Sequence, residues 1–227
     1  NASDEELNEL ISLYKTFGMV SYKDAVAEVY SPPRVSALAG RVGLGRGFAL
    51  DLTVVDPEDG KPWDFDSPAK RDKALKLLRK ERPMLLIGSP MCTAFSRLQA
   101  LSRHKRDESE FKRMILYGTQ HLKFCLELYT IQIQGGRYFL HEQPWSATSW
   151  ETRCMVEFLQ KPELYLVRGD MCAHGMQSSD EVGTAPVLKP TGWLTNSPRI
   201  ADRLGVRCSN LYGESTHRHV HLVNGRA

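Results

Sequence analysis

Apolar and polar positions alternate between two periods along the chain. AVAEVYS (25–31) is a short apolar run halted by Pro32-Pro33, which predicts a strand. VSALAGRVGLG then has helical spacing and ends in glycines, and GFALDLTVVD (47–56) predicts a second strand. PWDF (62–65) is short enough to be a third strand. Ser67 opens PAKRDKALKLLRKE as a helix, with Pro68 in the first turn and leucines on one face, and MLLIGSP (84–90) is a near-continuous apolar strand. The pattern then repeats. FKRMILYGTQHLKFCLELYTIQIQ (111–134) is helical until Gly135-Gly136, and RYFLHEQP (137–144) reads as a strand. WETRCMVEFLQ is a helix and LYLVRGDMC (164–172) a strand.

Before this alternation, Leu7, Leu10, Ile11, Leu13 and Tyr14 recur at helical spacing behind a Ser3/Asp4 cap, which predicts a docking helix ended at Gly18. After residue 173 the periodicity fades: KPTGWLTNSP reads as irregular and SPRIADRLG as a short helix. Strands alternating with helices indicate βαβ units and a mostly parallel sheet covered by helices on both faces. The expected organisation is an α/β core over 1–172, carrying the docking helix, with a loop-rich extension over 173–227 packed on it.

Composition narrows the class only a little. Of 227 residues, 41% are hydrophobic and 25% charged, ordinary for a globular protein, and no apolar stretch reaches the roughly 18 residues of a membrane span. No secretory signal is visible, and the first residue is Asn1 rather than Met, so the expectation is a segment of a longer polypeptide. A net charge of +3 permits a polyanionic partner without requiring one. The positive charge gathers in two runs, Lys70 to Arg82 and Arg97 to Arg113; solvated helix faces are the plain alternative. Five cysteines with no CxxC pair point away from a disulfide framework and toward a reducing, intracellular compartment, with nothing to choose nucleus or cytoplasm.

In open parallel sheets, ligands bind at the carboxyl ends of strands. Glu28 with SPPR, Asp51, Cys92 and Glu142 all fall at such ends. Asp51 lies 23 residues beyond Glu28, close to the roughly 20-residue interval at which nucleotide-binding folds place an acid on ribose hydroxyls. Capping of the following turn is the alternative. Asp64 is a second candidate acceptor, for an adenine amino group. Cys92 offers a nucleophile whose pKa a helix N-terminus and basic surroundings would lower, and Glu142 a carboxyl able to donate to a ring nitrogen.

Taken in order, AEVYS, ALDLT, LLIGSPMCTAFS and FLHEQP resemble the successive motifs of C5-cytosine DNA methyltransferases, which have the Rossmann-like class I S-adenosylmethionine-dependent fold. The resemblance covers roughly residues 25–150. More loosely, KPTGWLTNS and HRHVHL resemble stretches of methyltransferase-like domains carried by mobile elements. The resemblance implies that Cys92, in Pro90-Met91-Cys92, attacks C6 of a cytosine while Glu142 contacts N3 and the exocyclic amine. It implies S-adenosylmethionine held by Glu28, Tyr30, Ser31 and Arg34 from the first loop, and by Asp51, Leu52, Asp64 and Pro90. It also implies DNA, or RNA, as partner, with the target base flipped out. Ser96, Arg97, Arg103, Lys105 and Arg106 after the nucleophile would then hold phosphates, with Lys189 and Arg218 further along.

The sequence departs from that family in two places. Pro32 and Pro33 stand where a glycine-rich loop would present N–H groups, leaving Arg34 to pair with the cofactor carboxylate. The Gln-x-Arg-x-Arg element is absent, with Lys189 or Arg218 as substitutes. These departures keep open a catalytically silent module that binds nucleic acid or a partner. A cysteine hydrolase would need His104, His121 or His141 beside Cys92.

CAH (172–174), Cys208 and HRHVH (217–221) supply zinc-type ligands, and Cys172, His174, Cys208 and His217 raise the question of structural zinc. On an extended segment His217, His219 and His221 share one face. With no CxxC pair, a hydrogen-bonded histidine run is the commoner arrangement, and no metal is assigned.

Overall fold

The computed structural model describes residues 23–97, 107–212 and 217–220. The N-terminal docking helix, Arg103, His104, Lys105, Arg106 and His221 lie outside the described residues. In chain order the elements are β1 (Lys23–Val29), α1 (Val35–Leu38), β2 (Gly45–Leu50), α2 (Pro68–Glu81), β3 (Pro83–Gly88), α3 (Glu108–Gln134) and β4 (Tyr138–Pro144). They continue with α4 (Arg153–Leu159), β5 (Tyr165–Asp170), β6 (Gln177–Asp180), β7 (Gly183–Pro186), β8 (Pro190–Thr195) and α5 (Pro198–Leu204). Six strands pair in the order β2-β1-β3-β4-β8-β5, and β6 and β7 form a separate hairpin. The architecture is α/β with a mixed, mostly parallel sheet. Two compact units make up the chain, one of Asn1–Ile87 with Glu127–Phe139 and one of Gly88–Leu126 with Leu140–Ala227.

In the first unit β1 and β2 are parallel, with Val29 opposite Leu50, and Gly47 allows the close approach. A Cβ at Gly47 would lie 2.6 Å from the Val26 carbonyl oxygen. The chain runs from β1 outward to β2 and returns on the other side of β1 as β3, so the strand order reverses there, the arrangement that opens a ligand crevice at strand carboxyl ends. Val26, Ala27, Val29, Leu50 and Leu86 are buried strand residues, and Leu75 and Leu78 are the buried leucines of α2. Ser67 caps α2, its Oγ accepting from the Lys70 N–H at 3.5 Å, with Pro68 opening the helix.

The long loop between β2 and α2 is fastened by one buried acid. Asp56 accepts from Lys70 at 2.6 Å and Lys73 at 2.7 Å, and Lys70 also reaches Asp59 at 2.8 Å. Burial pushes the Asp56 carboxyl up, but the two lysine hydrogen bonds outweigh it and hold it at about 2. Near the end of α3, Gln132 is fully buried with both ends of its amide used, donating to the carbonyls of Pro83 and Tyr138 and accepting from Arg137 Nε.

In the second unit β8 is antiparallel to both β4 and β5, so β4 and β5 share a direction. Leu140, Leu194, Met155 of α4 and Ala201 of α5 are buried. Ser197 caps α5 by accepting from the Ile200 N–H.

Three sequence-based expectations are corrected. KPTGWLTNSP is not irregular: Pro190–Thr195 is β8, paired on both edges, with Thr191, Leu194 and Thr195 fully buried. Pro190 and Gly192 read as turn residues, yet Pro190 only starts the strand. At Gly192 a side chain would strike the Trp150 ring at 2.6 Å. The second strand stops at Leu50 because Asp51 turns the chain, and PWDF is not a strand, its only ladder feature being the isolated bridge Val55 to Pro62. Among the described residues no helix is long and apolar enough to cross a membrane.

Candidate active site

The second unit brings Cys92, Glu142 and Lys189 together. Cys92 follows β3 and precedes a short 3₁₀ turn, Thr93–Phe95, whose Phe95 N–H donates to the Cys92 carbonyl at 2.9 Å. That turn sits on α3 at Gly118, where a Cβ would lie 2.8 Å from Ala94 and 3.0 Å from the Phe95 ring. The thiol is half-buried, neither sealed in the core nor fully open. Glu142, on β4 opposite Trp193, accepts from Lys189 Nζ at 3.5 Å.

Side chains tie the Cys92 loop to the segment around the end of β4. Buried Gln143 donates through Nε2 to the Pro90 carbonyl at 2.5 Å, and its Oε1 accepts from Ser149 Oγ at 3.4 Å. Thr148 Oγ1 donates to the Phe95 carbonyl at 3.2 Å, and Arg97 Nε to the Ser146 carbonyl at 3.2 Å. The sequence reading missed Gln143 as a tether. The available signal was a neutral amide next to a candidate acid on a strand whose other residues are apolar.

The electrostatics at Cys92 run opposite to the expectation. Burial pushes its thiol up, the Glu142 charge adds to that, and Lys189 opposes it. The only helix that Cys92 opens is the three-residue turn, too short to stabilise a thiolate. Replacing Glu142 with Gln is therefore expected to speed alkylation of Cys92 by iodoacetamide about two- to fivefold at pH 8, and replacing Lys189 with Met to slow it comparably. Peptide mapping by mass spectrometry isolates Cys92 from the other thiols.

His141, beside Glu142, is fully buried, with its ring edge-on to Trp150. Burial lowers its pKa from 6.5 to about 3, so it is neutral in the folded protein. The unfolded chain takes up this proton near pH 6.5 and the folded one does not, so the contribution is complete above that pH and is lost as pH falls toward 3. Each pH unit in that window costs up to about 1.4 kcal/mol. Urea denaturation at pH 6.5 and 4.5 is expected to show the wild type losing about 2–3 kcal/mol more than His141→Gln.

The first unit holds the remaining acids. Glu28 is buried, and its carboxylate accepts from the loop itself. Oε1 takes the Arg34 N–H at 2.9 Å and the Ser36 N–H and Oγ at 2.7 Å each, and Oε2 takes Ser31 Oγ at 3.0 Å. Glu28 thus shapes the loop, with both carboxylate oxygens turned to the loop's own donors. The loop N–H groups that a glycine-rich turn would present point inward at it. Tyr30 is held at φ 57°, in the left-handed region, with its ring 4.8 Å from Phe65. Arg34 extends an exposed side chain.

Asp51 does cap its turn, Oδ1 accepting the Thr53 N–H at 2.9 Å and Oγ1 at 2.7 Å, while Oδ2 accepts nothing among the described residues. Asp64 Oδ1 accepts the Asp66 N–H in the same manner. Leu52 is exposed. An open groove of about 830 Å³ between β2 and α2, lined by Phe48, Leu50, Trp63 and Leu77 among others, takes in none of Glu28, Asp51 or Asp64.

The expected phosphate contacts divide. Arg218 is engaged by Asp180 and the Gly183 carbonyl, so it clamps the β6–β7 hairpin. Arg97 is exposed but donates to Ser146, and Ser96 is half-buried. Lys189 is the cation beside Glu142. All five cysteines are free thiols.

No family model matches the chain, and no curated protein matches it.

Proposed function

We propose that the chain transfers a methyl group from S-adenosylmethionine to C5 of cytosine in DNA through a covalent Cys92 adduct. The observation that carries this reading is the half-buried Cys92 thiol within reach of the Glu142 charge, with Lys189 paired to that acid. The cofactor's nucleoside half fits Asp51 Oδ2, which is available for ribose hydroxyls, and its methionine carboxylate fits the exposed Arg34 guanidinium. Bound S-adenosylmethionine supplies an electrophilic methyl group.

The residues of this chain act on the base. Cys92, as thiolate, forms a bond to C6, and the electron pair moves toward N3, which takes a proton from Glu142 in its acid form, the carboxylate having picked up that proton from water as the base enters. The resulting enamine makes C5 nucleophilic. Once C5 is substituted, its proton leaves to water, the S–C6 bond breaks to return the thiolate, and the N3 proton passes back to Glu142 to leave a neutral aromatic ring. A base whose N3 engages Glu142 also removes one of the charges that hold the thiol protonated. Lys189 is the group available to the cytosine carbonyl. The face of a stacked base is closed to a thiol, so the target is single-stranded or flipped out.

A duplex containing 5-fluorocytosine tests this, because fluorine at C5 blocks the final elimination. The expected result is a covalent adduct, dependent on S-adenosylmethionine and mapped to Cys92. An adduct on another residue, or none from protein that binds the cofactor, rejects the reading. A silent nucleic-acid- or partner-binding module is the second reading, favoured by the inward-turned N–H groups of the Pro32-Pro33 loop. Calorimetric titration with S-adenosylmethionine separates the two: heat lost in Asp51→Ala supports the enzyme, and no heat in the wild type supports the silent module.

A further inference from the structure

We propose that Cys172, Cys208, His217 and His219 form a structural zinc site in the second unit. Their four ligand atoms lie within 4.8 Å of one another. Cys208 Sγ is 3.4 Å from Nε2 of both His217 and His219, and the two Nε2 atoms are 2.9 Å apart. Zn–S bonds of about 2.3 Å and Zn–N bonds of about 2.0–2.1 Å give a tetrahedron with edges of about 3.3–3.8 Å. The cluster surrounds that size, and small shifts of the side chains close it on an ion. Two thiolates and two imidazoles form a donor set that favours zinc and neutralises its charge, and four protein ligands leave no position for water or substrate.

The backbone around the cluster supports each ligand. Cys172 lies in the 3₁₀ turn Met171–His174 after β5. Buried Cys208 donates its N–H to Asp170 Oδ2 at 3.0 Å, and Asp170 is itself fixed by Arg168 and Arg207. The His217 carbonyl accepts from Asn210 Nδ2 at 2.8 Å. The segment 217–220 alternates: His217 and His219 turn to the sulfur, while Arg218 turns away to Asp180 and the Gly183 carbonyl. His174, a ligand candidate from the sequence, instead approaches the Leu204 carbonyl at 3.3 Å and is outside the set. The proposed set takes His219 where the sequence alone raised His174.

The local core explains why a metal would be useful. Val220, which follows His219 in the chain, belongs to a small buried apolar group with Ala185 and Val187, on which Met176 packs, and Val187 and Val220 share an isolated bridge. So small an apolar group cannot by itself fix three segments distant in sequence, whereas an ion bonded to all three can. Binding displaces the two thiol protons as the Zn–S bonds form.

The 227-residue chain, purified under reducing conditions without chelator, tests the site. Elemental analysis is expected to find about one zinc per chain. Cys208→Ser and His219→Ala should lower that content at least tenfold, while His174→Ala and Cys92→Ser leave it unchanged. Exchange with Co(II) should give the intense visible bands of a tetrahedral S₂N₂ site and a sulfur-to-cobalt band in the near ultraviolet. Should the ligand losses prevent folding, His219→Cys keeps four ligands, and its third thiolate should shift the cobalt bands to longer wavelength. Folded wild-type protein with no zinc and no tetrahedral cobalt spectrum overturns the proposal, as does metal retained equally in the Cys208 and His219 variants.

Discussion

Replacing Cys92 with serine is expected to abolish methyl transfer while leaving S-adenosylmethionine affinity within about twofold of the wild type. A hydroxyl in place of the thiol is a far weaker nucleophile near neutral pH, and loss of a group that forms the covalent intermediate registers as at least about a thousandfold in turnover. The substitution should preserve the fold. The loop is held through the Pro90 and Phe95 carbonyls and through Arg97, none of which involves the sulfur. Incorporation of labelled methyl groups into cytosine-containing duplexes reads the effect. A serine variant working at the wild-type rate would remove Cys92 from the mechanism.

Glu28→Ala is expected to cost on the order of 3 kcal/mol of stability, because it leaves the Arg34 and Ser36 N–H groups and the Ser36 hydroxyl without their acceptor, while Ser31 keeps the Pro32 carbonyl. Urea denaturation measures the loss. Under conditions where the variant remains folded, S-adenosylmethionine affinity should still fall at least tenfold, since the loop between β1 and α1 no longer has its shape. Arg34→Ala is the contrasting substitution: its exposed side chain contributes nothing to the loop, so binding should weaken while stability stays within about 0.5 kcal/mol of the wild type. Equal stability for Glu28→Ala and wild type would mean that water replaces the carboxylate at no cost.

Much of this arrangement is legible in the sequence, and the exceptions have physical causes. Continuous apolar runs such as MLLIG mark strands buried on both faces, and Ser67-Pro68 marks a helix start, so β1, β3, β4, α2 and α3 stand where the pattern puts them. β8 was hidden because antiparallel insertion between β4 and β5 is a long-range event and its Pro190 and Gly192 have turn-like chemistry. The proximity of Cys92 and Glu142 could be anticipated from motif order, but Lys189 joins them only through tertiary structure. The sign of the Cys92 shift is hidden from the sequence for the same reason: neighbours in sequence are basic, whereas burial and the Glu142 charge act on the thiol in the fold. For the proposed zinc ligands, alternation along HRHVH puts His217 and His219 on one face. That Cys172 lies in the cluster and His174 outside it depends on how a 3₁₀ turn rotates two residues, which spacing alone does not specify.

The fastening of the Cys92 loop has a consequence for how its reactivity can change. Gln143, Thr148 and Arg97 each hold it through a side-chain donor on a main-chain carbonyl. One base substitution in the gene can therefore lengthen, shorten or delete a single stay without refolding the strand beneath, so the aim of the sulfur is open to gradual adjustment by drift or by directed evolution.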